Sequence, residues 1–172
     1  MRIKSLILGI ILLGAVTLHA GTAGDSLLTV QENLIQEVIG RIDVDSMLTQ
    51  VRILSGEQEA WIGGVNYTIL SRHYLQPGNA LAADYIFQEL TRHGLAPFID
   101  YFGALGENVV AFQQGYLHPE QQFIICAHYD CMPPGSRAYG ADDNASGTAA
   151  VLEAARLLGR QRMPYTVIYA LW

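Results

Sequence analysis

The pattern of apolar and polar positions along the chain predicts three helical regions. The first spans Asp25 to Leu54, with a break near Asp43–Asp45, and its apolar positions recur at helical spacing: Ile35, Val38, Ile39, Ile42, Met47, Val51 and Leu54. The second spans about Asn79 to His93, with one apolar face: Ala82, Tyr85, Ile86 and Leu90. The third spans about Ser146 to Arg160, and its core face is apolar: Val151, Ala154, Ala155 and Leu158.

Polar residues, glycine and proline mark the boundaries between these regions. Ser55–Gly64 and Pro133–Gly135 are predicted to be loops. Asn79 carries a side chain that can cap the second helix at its start. Gly94 stands just past the end of that helix, where a residue with left-handed backbone is common.

Four apolar segments predict β-strands: Phe98–Phe102, Asn108–Gln113, Phe123–Ala127 and Tyr165–Trp172. The third reads Phe-Ile-Ile-Cys-Ala, which is typical of a strand buried on both faces of a sheet that helices cover, and the fourth is of the same type. Strands that alternate with helices indicate an α/β layered domain. A domain rarely ends on an uncovered apolar strand, so we expect the chain to be the N-terminal portion of a longer domain.

The first 23 residues read as a secretory signal peptide, which leaves residues 24–172 as the mature part. Arg2 and Lys4 precede an apolar run of about a dozen residues, and small residues at Ala20 and Ala23 offer cleavage sites. The run is shorter than the roughly 20 apolar residues that span a membrane, so no stable membrane anchor is expected. These features predict a secreted or periplasmic protein.

Charge and cysteine content narrow the range of partners. Of the 10 basic residues, two lie in the signal peptide, which leaves 8 against 16 acidic residues. No basic surface remains that could bind a phosphate backbone, so nucleic acid is not an expected partner. Cys126 and Cys131 are expected to be two independent small core residues, because a disulfide needs a geometry that their spacing does not guarantee.

The candidate chemistry lies between the third strand and the third helix. His128 and Asp130 directly follow that strand, and ligands of open α/β sheets collect at the carboxyl ends of strands. On an extended segment both side chains lie on the same side, so the carboxylate can hold one ring nitrogen while the other binds a metal. Asp142 and Asp143 stand together directly before the third helix, where two adjacent carboxylates suggest a bound cation. Histidine and aspartate are both good ligands for zinc.

Each of these motifs also has a simpler interpretation. A lone His-x-Asp is more often an ordinary polar rim of a sheet, and Asp-Asp-Asn before a helix is more often a helix cap. Ser146 with His128 would suggest a hydrolase nucleophile, but Ser146 follows Asn-Ala, and the Gly-x-Ser-x-Gly elbow is absent.

Two sequence segments that contain these motifs, taken together, identify a protein family far more specifically than either motif alone. Ile124 to Asp130 reads Ile-Ile-Cys-Ala-His-Tyr-Asp, and Gly140 to Glu153 reads Gly-Ala-Asp-Asp-Asn-Ala-Ser-Gly-Thr-Ala-Ala-Val-Leu-Glu. In content, order and spacing they closely resemble the co-catalytic zinc aminopeptidases, a family that includes bacterial leucyl-type aminopeptidases, glutamate carboxypeptidases and glutaminyl cyclases. The resemblance implies a three-layer α/β/α zinc-exopeptidase fold with a mixed central sheet, of which this chain holds the first few strands.

The same resemblance implies a role for each site residue. His128 looks like the imidazole ligand of one zinc ion, Asp143 like the carboxylate that bridges two zinc ions, and Asp130 like the partner that orients His128. A complete site would hold two Zn²⁺ ions. The implied activity is that of a secreted exopeptidase of the aminopeptidase type, in which a metal-bridged water attacks the carbonyl of a peptide substrate.

Some of the implied residues are not in this sequence. The family places a Glu-Glu pair, a general base and a zinc ligand, shortly after the strand that corresponds to Tyr165–Trp172, and further ligands later. Because the sequence ends at Trp172, we expect this chain to be incomplete and inactive by itself. Two alternatives stay open: a non-enzymatic remnant or interaction piece, and a glutaminyl-cyclase-like enzyme with a single zinc. The run Asp142–Asn144 favours the two-metal peptidase over the cyclase.

Overall fold

The computed structural model describes residues 23–103, 106–132 and 136–172, and for residues 23–31 only the backbone. The chain divides into two compact units, Met1–Ile42 and Asp43–Trp172. Except for Ala23, the predicted signal peptide lies outside the described residues, as does the predicted loop Pro133–Gly135. None of the described helices is both long enough and apolar enough to cross a bilayer.

The helices agree with the periodicity of the sequence. The first predicted region is two helices, α1 (Ala23–Gly40) and α2 (Val44–Leu54), and the break falls where predicted. Asp43 causes the restart, because its carboxylate accepts a hydrogen bond of 2.9 Å from the backbone N–H of Ser46. Helix α3 spans Pro77–Arg92 and α4 spans Ser146–Leu158. Gly94 has a φ of 88°, as its place after α3 predicts.

The predicted cap of α3 is wrong. The helix begins at Pro77, two residues earlier than expected, with Gln76 as its N-cap residue. Proline favours the first helical position because its φ is already helical and its missing N–H would have no partner there. Asn79 is instead buried, and its side-chain amide donates to the backbone carbonyl of Arg72 at 2.8 Å.

A short hairpin begins in the region predicted to be a loop, Ser55–Gly64, and its second strand lies just after it. Its strands are β1 (Ala60–Ile62) and β2 (Val65–Tyr67), which pair antiparallel. Gly63 and Gly64 join them with φ values of 57° and 92°. Both values lie in the left-handed region that a two-residue hairpin turn needs, and glycine adopts it without a steric penalty.

Four strands form the main sheet: β3 (Pro97–Phe102), β4 (Gly106–Gln113), β5 (His118–Ala127) and β6 (Tyr165–Leu171). Their order is β3–β4–β6–β5. Strand β4 is antiparallel to both its neighbours, and β5 is parallel to β6. The predicted α/β class with a mixed sheet is therefore confirmed. Because β5, α4 and β6 form a β-α-β unit, the carboxyl ends of β5 and β6 meet at the same edge of the sheet.

One face of this sheet forms the core with α3 and α4. The sheet contributes buried residues from its two central strands: Val109, Ala111, Val167, Tyr169 and Leu171. The helices contribute the apolar faces that their periodicity predicts: Ala82, Ile86 and Leu90 from α3, and Val151, Ala154 and Ala155 from α4, where Leu152 is buried as well. This packing anchors both segments that carry the candidate chemistry.

The burial predicted for the two apolar strands is right for β6 and wrong for β5. Strand β6 lies between two others and is buried from Thr166 to Leu171. Strand β5 lies at the edge of the sheet, and Ile124 is 57% exposed because it faces away from the core that the sheet forms with α3 and α4. Cys126 is also exposed, contrary to its prediction as a core residue, while Cys131 is buried; both are free thiols.

Candidate metal centre

His128 and Asp130 lie just past the end of β5, where the backbone continues to pair with the end of β6. The N–H of Tyr129 donates to the carbonyl of Trp172 at 2.7 Å, which keeps this segment extended. Side chains of an extended segment alternate, so Tyr129 points into the core and is buried while its two neighbours point the other way. Burial, and then the carboxylates of Glu107 and Asp130, raise the pKa of the Tyr129 phenol, which stays protonated.

The ring of His128 lies between two carboxylates. Its Nδ1 is 3.0 Å from Oδ1 of Asp130, and its Nε2 is 3.2 Å from Oδ1 of Asp143. When Nδ1 carries the proton and donates it to Asp130, Nε2 presents a lone pair to the Asp143 carboxylate. Two acceptors that face each other attract a cation, either a proton or a metal ion.

The backbone before α4 positions Asp143. One wide turn, Ala141–Ala145, precedes the helix, and Asp143 and Asn144 within it have non-helical backbone with a cis peptide bond between them. Asn144 accepts a hydrogen bond of 2.9 Å from the N–H of Gly147, which ties the turn to the first residues of α4. The turn opens at Gly140, whose φ is 49°; a Cβ there would lie 2.6 Å from the carbonyl oxygen of Asp143, so only glycine fits.

Of the two adjacent aspartates, the described structure brings Asp143 and not Asp142 to His128. The backbone carbonyl of Asp142 accepts a hydrogen bond of 2.8 Å from the hydroxyl of Ser146. That bond engages the hydroxyl of Ser146, the serine considered above as a nucleophile beside His128. The assignment of His128 and Asp143 as metal ligands stays a prediction.

The spacing of the two facing atoms fits one zinc ion. Zinc binds imidazole nitrogen and carboxylate oxygen at about 2.0–2.2 Å in tetrahedral geometry, so two such donors on one ion lie about 3.4 Å apart. The observed distance between Nε2 of His128 and Oδ1 of Asp143 is 3.2 Å. Within the described ranges, no group of three or more His, Cys, Asp or Glu side chains could hold a metal ion. The donor set therefore fits zinc in kind and spacing but comprises two ligands.

A cavity of about 270 Å³ opens beside His128 and Asp130. Its lining combines exposed aromatic side chains with one further carboxylate: Tyr74, Phe102, Trp172 and Glu107. Burial, and then the carboxylate of Asp84, raise the pKa of the Glu107 carboxyl. Apolar walls next to a few polar groups are typical of a site that binds a small organic ligand. Sequence reasoning did not find these aromatic residues, which belong to no motif.

Replacing Asp130 with asparagine is expected to lower the zinc affinity of the His128 site by about 10- to 100-fold, the usual effect of losing the partner that orients a ligating histidine. The amide is isosteric, but it no longer offers a charged acceptor to Nδ1 of His128. The test is a zinc titration followed by the ring ¹⁵N signals of His128. Asp100→Asn is the control, because Asp100 lies on β3 and pairs with Asn108. Equal affinities for wild type and Asp130→Asn would contradict the assigned role.

Comparison with known proteins agrees with this chemistry. Residues 108–172 match the sequence profile described as Peptidase family M28. A probable zinc metalloprotease of Leptosphaeria maculans is 43% identical over 68 residues, which cover 37% of this chain and 16% of that protein. The matched segment is therefore less than a fifth of the curated relative's length.

Solved structures share the fold over most of the chain. A leucine aminopeptidase precursor from Bacteroides thetaiotaomicron superimposes with a TM-score of 0.59 at 19% identity, covering 76% of this chain and 46% of that chain. A glutaminyl cyclase from Porphyromonas gingivalis superimposes with a TM-score of 0.58 at 22% identity, covering 76% of this chain and 45% of that chain. The likeness confirms the fold class. The segment of residues 108–172, which carries His128, Asp130 and Asp143, is therefore similar to peptidase family M28 and, in part, to a probable zinc metalloprotease.

Proposed function

We propose that the protein to which this chain belongs is a zinc-dependent exopeptidase of the aminopeptidase type. The observation that carries the proposal is the arrangement of His128, with one ring nitrogen against Asp130 and the other 3.2 Å from Asp143. The matched family supports the reaction class, and the solved aminopeptidase precursor supports the fold on which it would run.

Each site residue of this chain has its own role in the proposed reaction. Asp130 holds the proton on Nδ1 of His128, which leaves Nε2 free to bind a metal. Asp143 faces His128 with Oδ1, and its side chain is 83% exposed, so Oδ2 remains accessible to a second ion. Bound zinc would supply Lewis acidity at the scissile carbonyl and activate water for its attack. The aromatic cavity beside the pair would accommodate the side chain next to the cleaved bond.

The 172-residue polypeptide by itself is expected to bind zinc weakly and to show no turnover. Catalytic zinc sites use three protein ligands, and the described residues bring two donors together. The check is an assay of the purified polypeptide with aminoacyl-4-nitroanilides at saturating zinc. Turnover that His128→Ala abolishes would contradict this expectation, because it would show that the described donors suffice.

The function is tested on the native protein, assayed side by side for release of nitroaniline and for cyclisation of a peptide with N-terminal glutamine. Zinc-dependent hydrolysis without cyclisation supports the proposal. Cyclisation without hydrolysis would favour the second candidate, a glutaminyl-cyclase-like enzyme, which the likeness to solved glutaminyl cyclases keeps in view. If both activities are absent at every zinc concentration, a non-enzymatic interaction protein is favoured instead.

We also propose that the protein is exported and that residues 1–23 are removed. The basic start and short apolar run of the sequence support this. The intact mass of the protein recovered from the medium or periplasm decides it, because cleavage after Ala20 or Ala23 gives two distinct masses. A cell-associated protein that keeps Met1 would contradict the proposal.

A further inference from the structure

Arg72 is the largest fully buried side chain in the described part of the chain. It lies between β2 and α3, far in sequence from the two blocks of the candidate site. Burial lowers the pKa of its guanidinium, while Cys131, Asp130 and Asp143 raise it. A buried charge is costly unless its hydrogen bonds are satisfied, so this environment calls for a structural reason.

The guanidinium of Arg72 donates only to backbone carbonyl oxygens. Nε donates to Tyr129 at 2.6 Å, Nη2 to Gly140 at 2.8 Å, and Nη1 to Tyr139 at 3.0 Å. Nη1 also donates to Leu54. Within the described ranges no carboxylate forms an ion pair with Arg72. Four of the five donors of the guanidinium fork are thus used to hold backbone.

Two of the four carbonyls that Arg72 holds belong to the two segments of the candidate site. Tyr129 stands between His128 and Asp130, and Gly140 opens the turn that carries Asp143. The backbone of Arg72 adds a further link.

The carbonyl of Arg72 accepts from the N–H of Cys131 at 3.3 Å and from the side chain of Asn79 at 2.8 Å. Arg72 is therefore hydrogen-bonded to the backbone of Tyr129 and of Cys131, the two residues on either side of Asp130. Gly140 permits the close approach on the other segment, because a Cβ there would lie 2.8 Å from Nη2 of Arg72.

We propose that Arg72 is a positioning residue that holds His128 and Asp143 at the spacing needed to bind a metal ion. The inference rests on the proposed metal-binding function of that pair. The two segments are separate in sequence and both carry carboxylates, and hydrogen bonds from one side chain to both segments oppose the repulsion between them. Arginine suits the role because its rigid fork reaches several carbonyls at once, whereas lysine presents a single ammonium group.

The test is a zinc titration of the full 172-residue chain by NMR, because the ring ¹⁵N signals of His128 report weak as well as tight binding. Arg72→Lys keeps the charge and is expected to lower zinc affinity at least about tenfold, as for other groups that orient ligands. Asn79→Ala removes the bond to the carbonyl of Arg72 and also the acceptor that lies 3.4 Å from the hydroxyl of Tyr129, and an affinity loss of about threefold is expected. The thermal midpoint of each metal-free variant is measured in parallel.

Gln113→Met is the matched control. The buried amide of Gln113 donates to the carbonyls of Leu158 and Gln161 at 2.7 and 2.8 Å, so it also joins backbone segments. It lies where β4 pairs with the start of β6, at the opposite end of the sheet from the candidate site. A loss of stability without a change in zinc affinity is expected.

Each outcome separates the two proposals. If zinc does not shift the His128 signals in wild type, the metal site itself is wrong, and the role of Arg72 fails with it. If wild type binds zinc and folded Arg72→Lys binds it within twofold, Arg72 is merely structural. Equal affinity losses in Arg72→Lys and Gln113→Met would show that affinity only follows stability, which also overturns the role. If Arg72→Lys does not fold, unchanged affinity in Asn79→Ala overturns it.

Discussion

Replacing His128 with alanine is expected to abolish zinc binding at the site and to lower the proposed aminopeptidase activity of the native protein by more than about 100-fold. The loss should exceed the 10- to 100-fold effect of removing an orienting partner, because the substitution deletes a direct ligand. Nothing nearby replaces it, since the described residues bring only Asp143 to the same point. The measurements are zinc content after dialysis and kcat/KM for an aminoacyl-4-nitroanilide.

His118→Ala is the control for that experiment. The His118 ring is partly exposed, stacks on Tyr165 at 5.6 Å and lies 3.6 Å from Glu120 at the start of β5. The candidate site lies past the other end of that strand, so zinc content and activity should be unchanged. Stoichiometric zinc and full activity in His128→Ala would sink the assignment of the site.

Replacing Leu152 with alanine is expected to lower the free energy of unfolding by about 2–5 kcal/mol. Leu152 is 1% exposed on α4 and belongs to the buried cluster that joins this helix to α3 and the sheet. The lost methyl groups leave a cavity that a close-packed core refills only in part. Urea unfolding followed by circular dichroism measures the change.

Leu117→Ala removes the same atoms from a leucine that is 58% exposed, and a change within about 0.5 kcal/mol is expected. Comparable losses for the two variants would contradict the packing of α4 against the sheet. That packing also positions the candidate site, because the turn with Asp143 leads directly into α4. A destabilised Leu152→Ala should therefore bind zinc more weakly as well.

The spacing of apolar residues predicted the helices and strands well, but it did not predict which strands are buried on both faces. Two apolar segments of the same type became strands β5 and β6, yet only β6 is buried on both faces. The difference depends on strand order, because β6 lies between β4 and β5 while β5 lies at the edge. Strand order is set by contacts between residues distant in sequence, which a local pattern does not contain.

The start of α3 shows how local rules compete. Asn79 and Pro77 both have a local reason to begin a helix, and the prediction rested on the side chain of Asn79 alone. The helix begins at the proline, and the buried side-chain amide of Asn79 donates a hydrogen bond to the carbonyl of Arg72. One local preference thus replaced another at the helix start, and the side chain of Asn79 serves a tertiary contact instead.

The sequence by itself determined the residue types of the site and one of its contacts. His128 and Asp130 meet because alternate side chains of an extended segment lie on the same side, a property of two-residue spacing alone. Only the tertiary structure decided that Asp143, fifteen positions after His128 and on a different element, comes within 3.2 Å of the same ring. That contact depends on the packing of α4 and on the hydrogen bonds of Arg72. Both join residues that are distant along the chain, so no local spacing could predict them.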